Sequence, residues 1–564
     1  MESQGISTTV ALTGVLPFVV LLAAALSLPV CAFLLRLYRR SVLAGMDTRA
    51  GAGAWQPEPE PEPQRGPPVA ALAVENLDHS PPVVASAADA VAWRRALRGP
   101  WQLAAGYACA GLAYAAVMTA GWLLATGDAT VVWTKLAILS WTYFWPAVLT
   151  VLLVAAYDRI RRWQVLGAYF GVLAALMAIS MVRNPDLGLL EIPLYWVLMN
   201  GPESILLLTF LLRPIRAVGP LVLAFLLTIA IGSQSVLSAA AGNAAVLRGF
   251  ADIGFRLGLG AGAVFLGMIL LGVVAFAALG WPLLRWVGRR YEAKRFSDQS
   301  LTIDSLFLLF GVVQSIGLAF EGAPWILTGL VAFAGYKAVT LLAFRLVRGQ
   351  AHPARTLLLL RVFRLGKRSE RLFDKLRKHW QAVGSICMIA GPDLVTTTVE
   401  PHEFLEFLSG RLGRRFVGGT ADLDRRITAM DGAADPDGRY RINEFFCRAD
   451  TWQMTMQRLA AASDAVLMDL RSFSVSNQGC LFELARLLDG VDLGQVVFLV
   501  DQTTDRAFLE ATLQRLWNEL SSSSPNRPAA APTARLFRIE AQSEAAMAAL
   551  LGHLLTARTR QATH

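Results

Sequence analysis

The feature that most constrains this chain is a succession of long apolar runs within its first 350 residues. Each run has about 20 residues, the length of an α-helix that crosses the hydrocarbon core of a bilayer. Charged residues make up only 17% of the chain, whereas an average soluble protein has about 25%. The sequence therefore predicts a multi-pass α-helical membrane domain. Nine spans are expected, at residues 10–37, 101–126, 132–157, 163–182, 189–212, 217–240, 257–284, 302–320 and 324–346.

Lysine and arginine are distributed unequally between the two sets of span ends. One set carries clusters of basic residues, and the other carries only isolated ones. Loops rich in Lys and Arg stay on the cytoplasmic side of a membrane. We therefore expect a protein of the inner cell membrane with its N-terminus outside and its C-terminal domain in the cytoplasm. The isolated basic residues are Lys135, Arg183, Arg248 and Arg256.

The net charge of +10 and the pI of about 9.6 come mostly from arginines that flank apolar runs. Such charge is typical of membrane-flanking loops, so the lipid bilayer is the expected partner and nucleic acid is not. The five cysteines have no CxxC spacing, and the six histidines have no paired-ligand spacing. Neither a disulfide framework nor a metal site is therefore expected.

Three polar residues inside the apolar runs are candidate intramembrane sites: Asn200, Glu203 and Lys337. A charge in hydrocarbon is costly, so such residues usually face a partner or a water-filled cavity. Two interpretations stay open. In the first, Glu203 beside an Asn-Gly-Pro break forms a ligand, ion or proton site. In the second, Glu203 and Lys337 pair with each other, or form separate hydrogen bonds, and only hold the helices together.

Composition divides the chain into five segments. Residues 1–40 hold the first transmembrane helix, and residues 41–98 form a Pro-rich cytoplasmic linker with a stiff proline–glutamate repeat. Residues 99–348 form an eight-helix transmembrane domain. Residues 349–380 form a basic amphipathic connecting helix that lies at the anionic inner leaflet or packs against the next domain. Residues 381–564 form a cytoplasmic α/β domain.

Strand-like and helix-like segments alternate five times from residue 384 onward. The strand-like segments are continuously apolar, as strands covered on both faces are, and the alternation predicts a parallel sheet. The expected fold class is a flavodoxin-like α/β domain with a five-stranded parallel sheet. Strands are expected at 384–390, 415–419, 465–470, 496–501 and 535–540, and helices at 402–413, 441–461, 479–489, 505–520 and 543–558.

Polar residues follow two of the expected strands, and ligands of such sheets bind at the carboxyl ends of strands. Arg471 and the turn at Gly391 are candidates for binding phosphate, because guanidinium and backbone N–H groups suit phosphate oxygens. The full candidate set is Gly391 and Asp393 after the first strand, Asp469 at the end of the third strand, Arg471, Ser472 and Asn477 after that strand, and Glu483 on the next helix.

The stretch from Ser472 to Leu484, SFSVSNQGCLFEL, resembles a signature of Toll/interleukin-1 receptor (TIR) domains, in which serines, a cysteine and a Glu-Leu pair follow the third strand. In NAD-cleaving members of that family the helix glutamate is catalytic, and Glu483 matches its position. Asp469 and Glu483 also resemble, more loosely, the acidic residues of nucleoside 2-deoxyribosyltransferases. The resemblance implies NAD or a related nucleotide as ligand and self-association through this domain.

Both families act on an N-glycosidic bond, where a carboxylate can stabilise or trap an oxocarbenium-like ribose. Two other interpretations of Glu483 stay open. The domain could bind nucleotide or protein without turnover, or Glu483 could be a solvated residue in the first helical turn. The expected function is a membrane receptor or effector with a TIR-like signalling domain that could cleave NAD. The alternative is a transporter or channel in which Glu203 and Lys337 line a path.

Overall fold

The protein is described by a computed structural model that covers residues 16–48, 70–77, 79, 86–127, 132–155, 159–186, 188–210, 218–241, 243–347, 354–361, 367–391, 399, 401–430, 432–475, 477–528, 532–540 and 543–557. The chain forms two compact units. The first, which we call the helical unit, comprises Met1–Leu37, Trp101–Val347 and Val399–Leu408. The second, the α/β unit, comprises Tyr38–Pro100, Arg348–Thr398 and Ser409–His564.

The helical unit consists of α-helices joined by short connections. Its helices are α1 (Leu16–Met46), α2 (Ala87–Thr126), α3 (Trp133–Tyr143), α4 (Trp145–Val154), α5 (Arg159–Arg183), α6 (Glu191–Phe210), α7 (Gly219–Ala241), α8 (Ala244–Arg256), α9 (Ala261–Glu292), α10 (Asp298–Leu318) and α11 (Thr328–Val347). A 3₁₀ turn at Ala323–Leu327 precedes α11. The boundary between the two units falls within α1 and α2.

Several helices of the described chain are long and apolar enough to cross a membrane. Five qualify on their own: α2, α5, α9, α10 and the segment Ala323–Leu346. The pair α3 and α4, bent by 40° at a break, would make a sixth. These helices are consistent with a membrane protein, but the expected count of nine spans is not confirmed. The expected spans 10–37, 189–212 and 217–240 correspond to α1, α6 and α7, for which the described residues do not establish a span.

Helices α10 and α11 approach each other through two glycines. A Cβ atom added at Gly329 would lie 1.9 Å from the carbonyl oxygen of Gly311, and one added at Gly311 would lie 2.7 Å from that of Gly329. Small residues allow helix backbones in membranes to come this close. The rings of Phe307 and Tyr336 stack between the same helices with centroids 3.9 Å apart. Backbone packing and ring stacking thus hold this pair together.

The α/β unit is built on a seven-stranded sheet in which all neighbouring strands are parallel. The strands are β1 (Ala73–Leu77), β2 (Arg355–Arg361), β3 (Gly384–Ile389), β4 (Ile442–Phe445), β5 (Ala465–Asp469), β6 (Val496–Val500) and β7 (Thr533–Arg538). Their order across the sheet is β1-β7-β6-β5-β2-β3-β4. The expectation of a parallel sheet is confirmed, and the expected number of five strands is wrong.

Helices cover both faces of this sheet. The helices that follow α11 along the chain are α12 (Lys367–Trp380), α13 (Pro401–Leu408), α14 (Thr420–Thr428), α15 (Trp452–Ala462), α16 (Gln478–Gly490), α17 (Arg506–Asn518) and α18 (Glu544–Leu555). All of them except α13, which belongs to the helical unit, are part of the α/β unit. One core joins α15, α16 and α17 to one face, and a second joins α12, α18 and the start of α2 to the other. Alternate strand residues point to opposite faces, so Leu358 enters the first core and Leu359 the second.

Strand β2 replaces the first part of the amphipathic helix that we expected at 349–380. Its residues 357–360 are all buried, and it pairs with β5 on one side and β3 on the other. Four consecutive leucines favour a helix by local propensity, but a strand with both faces covered is also continuously apolar. Burial on both faces therefore overrides the local preference, and the basic helix is limited to α12.

Three other expectations about the sheet are corrected. Strand β1 lies in the expected linker and pairs with β7, and β4 followed by α15 replaces the single helix expected at 441–461. The segment 415–419 contributes the isolated bridge between Phe416 and Phe446 instead of a named strand. Strands β1 and β4 have the short sequences AVENL and INEF, in which strand pairing depends on the neighbouring strand more than on local preference.

The strand order reverses beside β2. Counted along the chain, the five inner strands have the order 2-1-3-4-5 of flavodoxin-like sheets, with β1 and β4 added at the two edges. The chain runs from β2 to β3 on one side and returns to β5 on the other. Doubly wound sheets bind ligands in the crevice at the carboxyl end of such a reversal. The strand order therefore indicates where a ligand would bind. It does not indicate an activity, because proteins of many unrelated activities have the same strand order.

We expect Gly384→Ala to destabilise the α/β unit, because β2 and β3 approach closely at that position. An added Cβ atom would lie 1.8 Å from the carbonyl oxygen of Arg355, and relieving such an overlap costs about 2 kcal/mol or more. Urea unfolding of the purified full-length protein measures the loss. Gly490→Ala is the matched control, since a Cβ atom there meets nothing within 4 Å. Wild-type stability for Gly384→Ala would contradict the pairing of β2 with β3.

Candidate functional site

The carboxyl ends of β2, β3 and β5 lie side by side where the strand order reverses. In the register of the sheet, Arg361 at the end of β2 is aligned with Asp469 at the end of β5. Strand β3 flanks β2 on its other side and is followed by the buried Gly391. The structure thus brings Gly391 and Asp469 to the same carboxyl end of the sheet, as the sequence predicted. The segment after Gly391, which includes Asp393, lies outside the described residues, as does the segment after Arg361.

Asp469 and Arg471 form a buried ion pair at this carboxyl end of the sheet. The guanidinium donates from Nε to Oδ1 at 2.8 Å and from Nη2 to Oδ2 at 2.6 Å, and the backbone N–H of Arg471 donates to Oδ1 at 3.2 Å. Each side chain is 3% exposed. Bidentate pairing fixes both groups, so Arg471 holds the loop after β5 in place. Its expected contact with a ligand phosphate stays a prediction.

Ser472 connects the loop after β5 to the loop after β6. Its hydroxyl lies 2.8 Å from that of Thr503, and Thr503 donates from its backbone N–H and its hydroxyl to Oδ1 of Asp501 at 2.8 and 2.6 Å. Ser472 has a φ of +60°, in the left-handed region that residues other than glycine rarely adopt. Backbone strain of this kind clusters at ligand-binding loops, which supports Ser472 as a candidate.

Asn477 holds the turn that leads into α16. Its Oδ1 accepts hydrogen bonds from the backbone N–H of Ser474 at 2.9 Å and from the Ser474 hydroxyl at 3.2 Å. Its own N–H donates to the carbonyl of Ser474 at 3.1 Å. These bonds give Asn477 a structural role in the loop before α16, and its expected contact with a ligand stays a prediction.

Glu483 lies in the second turn of α16 and is only 3% exposed. Residues three and four positions away share a helix face, and Cys480 and Leu487 at those positions belong to the core between α16 and the sheet. The interpretation of Glu483 as a solvated first-turn residue is therefore wrong. Burying a carboxylate is costly unless polar groups or a ligand compensate, so packing alone does not explain a glutamate here.

Burial suppresses thiolate chemistry at two cysteines of the α/β unit. Cys387 lies in β3 and Cys447 follows β4, and neither is more than 5% exposed. Burial raises the pKa of each thiol to about 12, although a hydrogen bond between Cys387 and Asn443 acts in the opposite direction. Both groups are therefore protonated at neutral pH, and the thiolate is the nucleophilic form.

Asn200 lies within a buried hydrogen-bonded network of the helical unit. Its Nδ2 donates to the carbonyl of Thr142 at 3.3 Å, and its Oδ1 accepts from Nε2 of Gln314 at 3.0 Å. The hydroxyl of Tyr114 donates to Oε1 of Gln314 at 2.8 Å. The network therefore joins α2, α3, α6 and α10. Sequence reasoning identified Asn200 but missed Tyr114 and Gln314, whose residue types are common in helices.

Glu203 lies one turn after Asn200 and is 1% exposed. Among the described residues, neither of its carboxylate oxygens has a hydrogen-bond partner. The neighbouring Ser204 accepts from Nε1 of Trp145 at 2.7 Å and donates to the carbonyl of Asn200. An ionised carboxylate is not stable in such surroundings without compensation. We therefore expect Glu203 to carry a proton or to bind a cation.

Lys337 forms an ion pair with Asp304, so the alternative in which Lys337 pairs with Glu203 is wrong. Nζ of Lys337 donates to Oδ2 of Asp304, and the hydroxyl of Tyr336 donates to Oδ1 at 3.0 Å. The pair connects α10 with α11. Sequence reasoning missed Asp304, although a carboxylate inside an expected span is the same signal that identified Glu203.

Comparison with known proteins gives no assignment of family or activity. No protein-family model, curated protein or solved structure matches the chain. Within the described ranges, no group of three or more His, Cys, Asp or Glu side chains is arranged to hold a metal ion.

We expect Asp469→Ala to destabilise the protein by about 3 to 5 kcal/mol, because it leaves the Arg471 guanidinium buried without its carboxylate. Glu510→Ala is the matched control. It removes an exposed pair with Arg506 whose atoms lie 2.7 Å apart and whose side chains are 42% and 49% exposed, so it costs less than about 1 kcal/mol. Chemical unfolding of the full-length variants measures both values. Equal losses would show that the buried pair does not support the loop.

Proposed function

We propose that this protein is an integral membrane receptor or effector whose α/β unit faces the cytoplasm and binds NAD or a related nucleotide. The observation that carries the proposal is the reversal of strand order beside β2, with Asp469, Ser472 and Glu483 on the elements that follow β5. Doubly wound sheets bind nucleotides at such reversals. The resemblance of the stretch from Ser472 to Leu484 to TIR domains supports the same ligand class and signalling by self-association.

Hydrolysis of the N-glycosidic bond of NAD is the reaction that Glu483 would serve. The nicotinamide leaves with the electron pair of the broken bond and becomes neutral, so it needs no strong general acid. The ribose carbon becomes oxocarbenium-like, and a nearby carboxylate stabilises or traps it. Water then adds to that carbon and releases a proton, which gives ADP-ribose. Burial of Glu483 supports this role, because a low dielectric strengthens its attraction to the ribosyl cation.

The loops around the site support a preorganised pocket. The pairing of Asp469 with Arg471, and the bonds of Ser472 and Asn477, restrict the segment between β5 and α16. A site whose polar groups are fixed before the ligand binds stabilises a transition state without reorganising. In the proposed complex, the nucleotide phosphates contact backbone N–H groups near Gly391, and the ribose faces Glu483.

The purified full-length protein in lipid nanodiscs should release nicotinamide from NAD, and Glu483→Gln should slow the release about 100-fold or more, because a neutral amide does not stabilise the ribosyl cation. Liquid chromatography of the products measures the rate. Glu519→Gln changes an exposed glutamate of the same unit and serves as the matched control. Release that survives Glu483→Gln would remove this residue from the mechanism. Binding of NAD without release would restrict the unit to nucleotide sensing.

A second candidate function, transport, is favoured by the burial of Glu203. Its carboxylate needs a proton or a cation, and intramembrane carboxylates of this kind are typical of ion and proton pathways. The break between α3 and α4 lies beside the same region, since Thr142 and Trp145 on either side of it bond to Asn200 and Ser204. Broken helices beside a buried polar group are found in transporters.

If Glu203 carries a proton or a cation, wild-type protein in liposomes should dissipate an imposed pH or Na⁺ gradient faster than empty liposomes. Glu203→Gln should return the rate to the empty level, because the amide binds neither ion as a carboxylate does. An entrapped pH-sensitive or Na⁺-sensitive dye measures the rate. Glu321→Gln, at an exposed position of the same unit, should leave the flux unchanged. Equal flux in wild type and Glu203→Gln would assign Glu203 a structural role.

A further inference from the structure

The helical unit contains a cavity of about 570 Å³ that neither proposed function uses. Its walls come from the C-terminal turns of α2 and α5 and the N-terminal turns of α3 and α6. These four helix ends flank two connections, the one from α2 to α3 and the one from α5 to α6, so the cavity lies at one end of the bundle. Its volume falls within the range of small-molecule sites, about 300–1,000 Å³.

The inner wall of the cavity is apolar. Ile138 and Leu139 lie in the second turn of α3, and Ile192 lies in the first turn of α6. All three are less than 10% exposed. A helix rises 1.5 Å per residue, so Ile138 and Leu139 lie about 8 Å inside the end of α3. A ligand that fills the cavity would therefore place its apolar part against these side chains.

The rim of the cavity carries two cations and one carboxylate: Lys135, Arg183 and Glu191. Nζ of Lys135 lies 4.4 Å from the ring centroid of Trp122, and the guanidinium carbon of Arg183 lies 4.8 Å from that of Trp133. Contact with an aromatic face orients a cation without neutralising it. The net charge of Lys135, Arg183 and Glu191 together is +1, whichever of the two cations Glu191 interacts with.

Helix ends add little to this charge. Two helices contribute N-terminal turns to the cavity and two contribute C-terminal turns, and the partial charges at these ends have opposite signs. The charge preference of the cavity is therefore set by side chains. Asn184 and Ser180, which also line the cavity, supply hydrogen-bonding groups that suit a carboxylate or a phosphate oxygen.

We infer that this cavity binds an amphipathic monoanion, in which a carboxylate or phosphate group is joined to an apolar chain. The anionic group lies between Lys135 and Arg183, and the apolar chain extends toward Ile138 and Leu139. Charge complementarity of this kind selects against amphiphiles of the opposite sign. A free fatty acid and an anionic phospholipid present the same chemistry, and the experiment separates these two sources.

Binding of radiolabelled decanoate to the full-length protein in phosphatidylcholine nanodiscs tests the inference. Unlabelled decanoate should compete at least tenfold better than decanol or decyltrimethylammonium, which have the same chain and different charges. Equal competition by decyltrimethylammonium would overturn the inference, because the cavity would then bind chains without regard to charge.

Variants test whether the named cations are responsible. The double change Lys135→Gln with Arg183→Gln should weaken decanoate binding at least tenfold, while Glu191→Gln, which removes the negative charge, should leave binding equal or tighter. Arg285→Gln is the matched control, because Arg285 also lies over an indole ring, that of Trp281, at 5.7 Å, and does not line the cavity. Exchanging the cations, by Lys135→Arg with Arg183→Lys, should preserve binding. Wild-type affinity in the double glutamine variant would overturn the inference.

Nanodiscs that contain phosphatidylglycerol distinguish the two sources of the anion. If the cavity takes a phospholipid headgroup, phosphatidylglycerol should reduce decanoate binding, and native mass spectrometry should find it retained by wild type and lost from the double glutamine variant. If the cavity takes a free carboxylate, decanoate binding should persist at the same affinity. Unfolding temperatures of all variants, measured in the same nanodiscs, identify any variant that is misfolded.

Discussion

The α/β unit depends on the burial of one strand, β2, on both of its faces. Its alternating leucines enter two separate cores, one beneath α15, α16 and α17 and one beneath α12 and α18. Burying a leucine side chain stabilises a fold by about 1.5–3 kcal/mol, so both layers of helices gain from this strand. Because the strand order reverses beside β2, the same strand also places Gly391 and Asp469 at the same end of the sheet, on either side of β2.

Much of the sheet could be predicted from sequence, and the errors have a common physical cause. Strands β3, β5, β6 and β7 are apolar segments between helices, and their positions follow from that alternation. β2 was missed because leucine runs also favour helices. β1 and β4 are short edge strands whose residues Glu75 and Asn443 give no apolar pattern. Only their neighbours in the sheet, which a sequence does not reveal, turn these segments into strands.

The positions of the candidate site residues in the fold could be predicted from the sequence, but their interaction partners could not. The sequence predicted Asp469 and Glu483 near the carboxyl end of the sheet, because parallel strands all end on the same side. It could not show that Arg471 turns back to Asp469, since loop dihedrals decide that contact. The choice of Asp304 as partner for Lys337 depends on how α10 rotates against α11, and a close approach of glycine backbones fixes that rotation.

The sheet also imposes an order on biosynthesis. The indole of Trp517 donates to the carbonyl of Ala70 at 2.8 Å across 447 positions of sequence, and β1 pairs with β7 beside this contact. At a translation rate of about 5–20 residues per second, β1 waits on the order of 20 to 90 s for its partner. A nascent strand that waits unpaired is prone to aggregation unless it is short and charged. The brief sequence AVENL, with Glu75 at its centre, suits a strand that the ribosome releases long before the sheet can close.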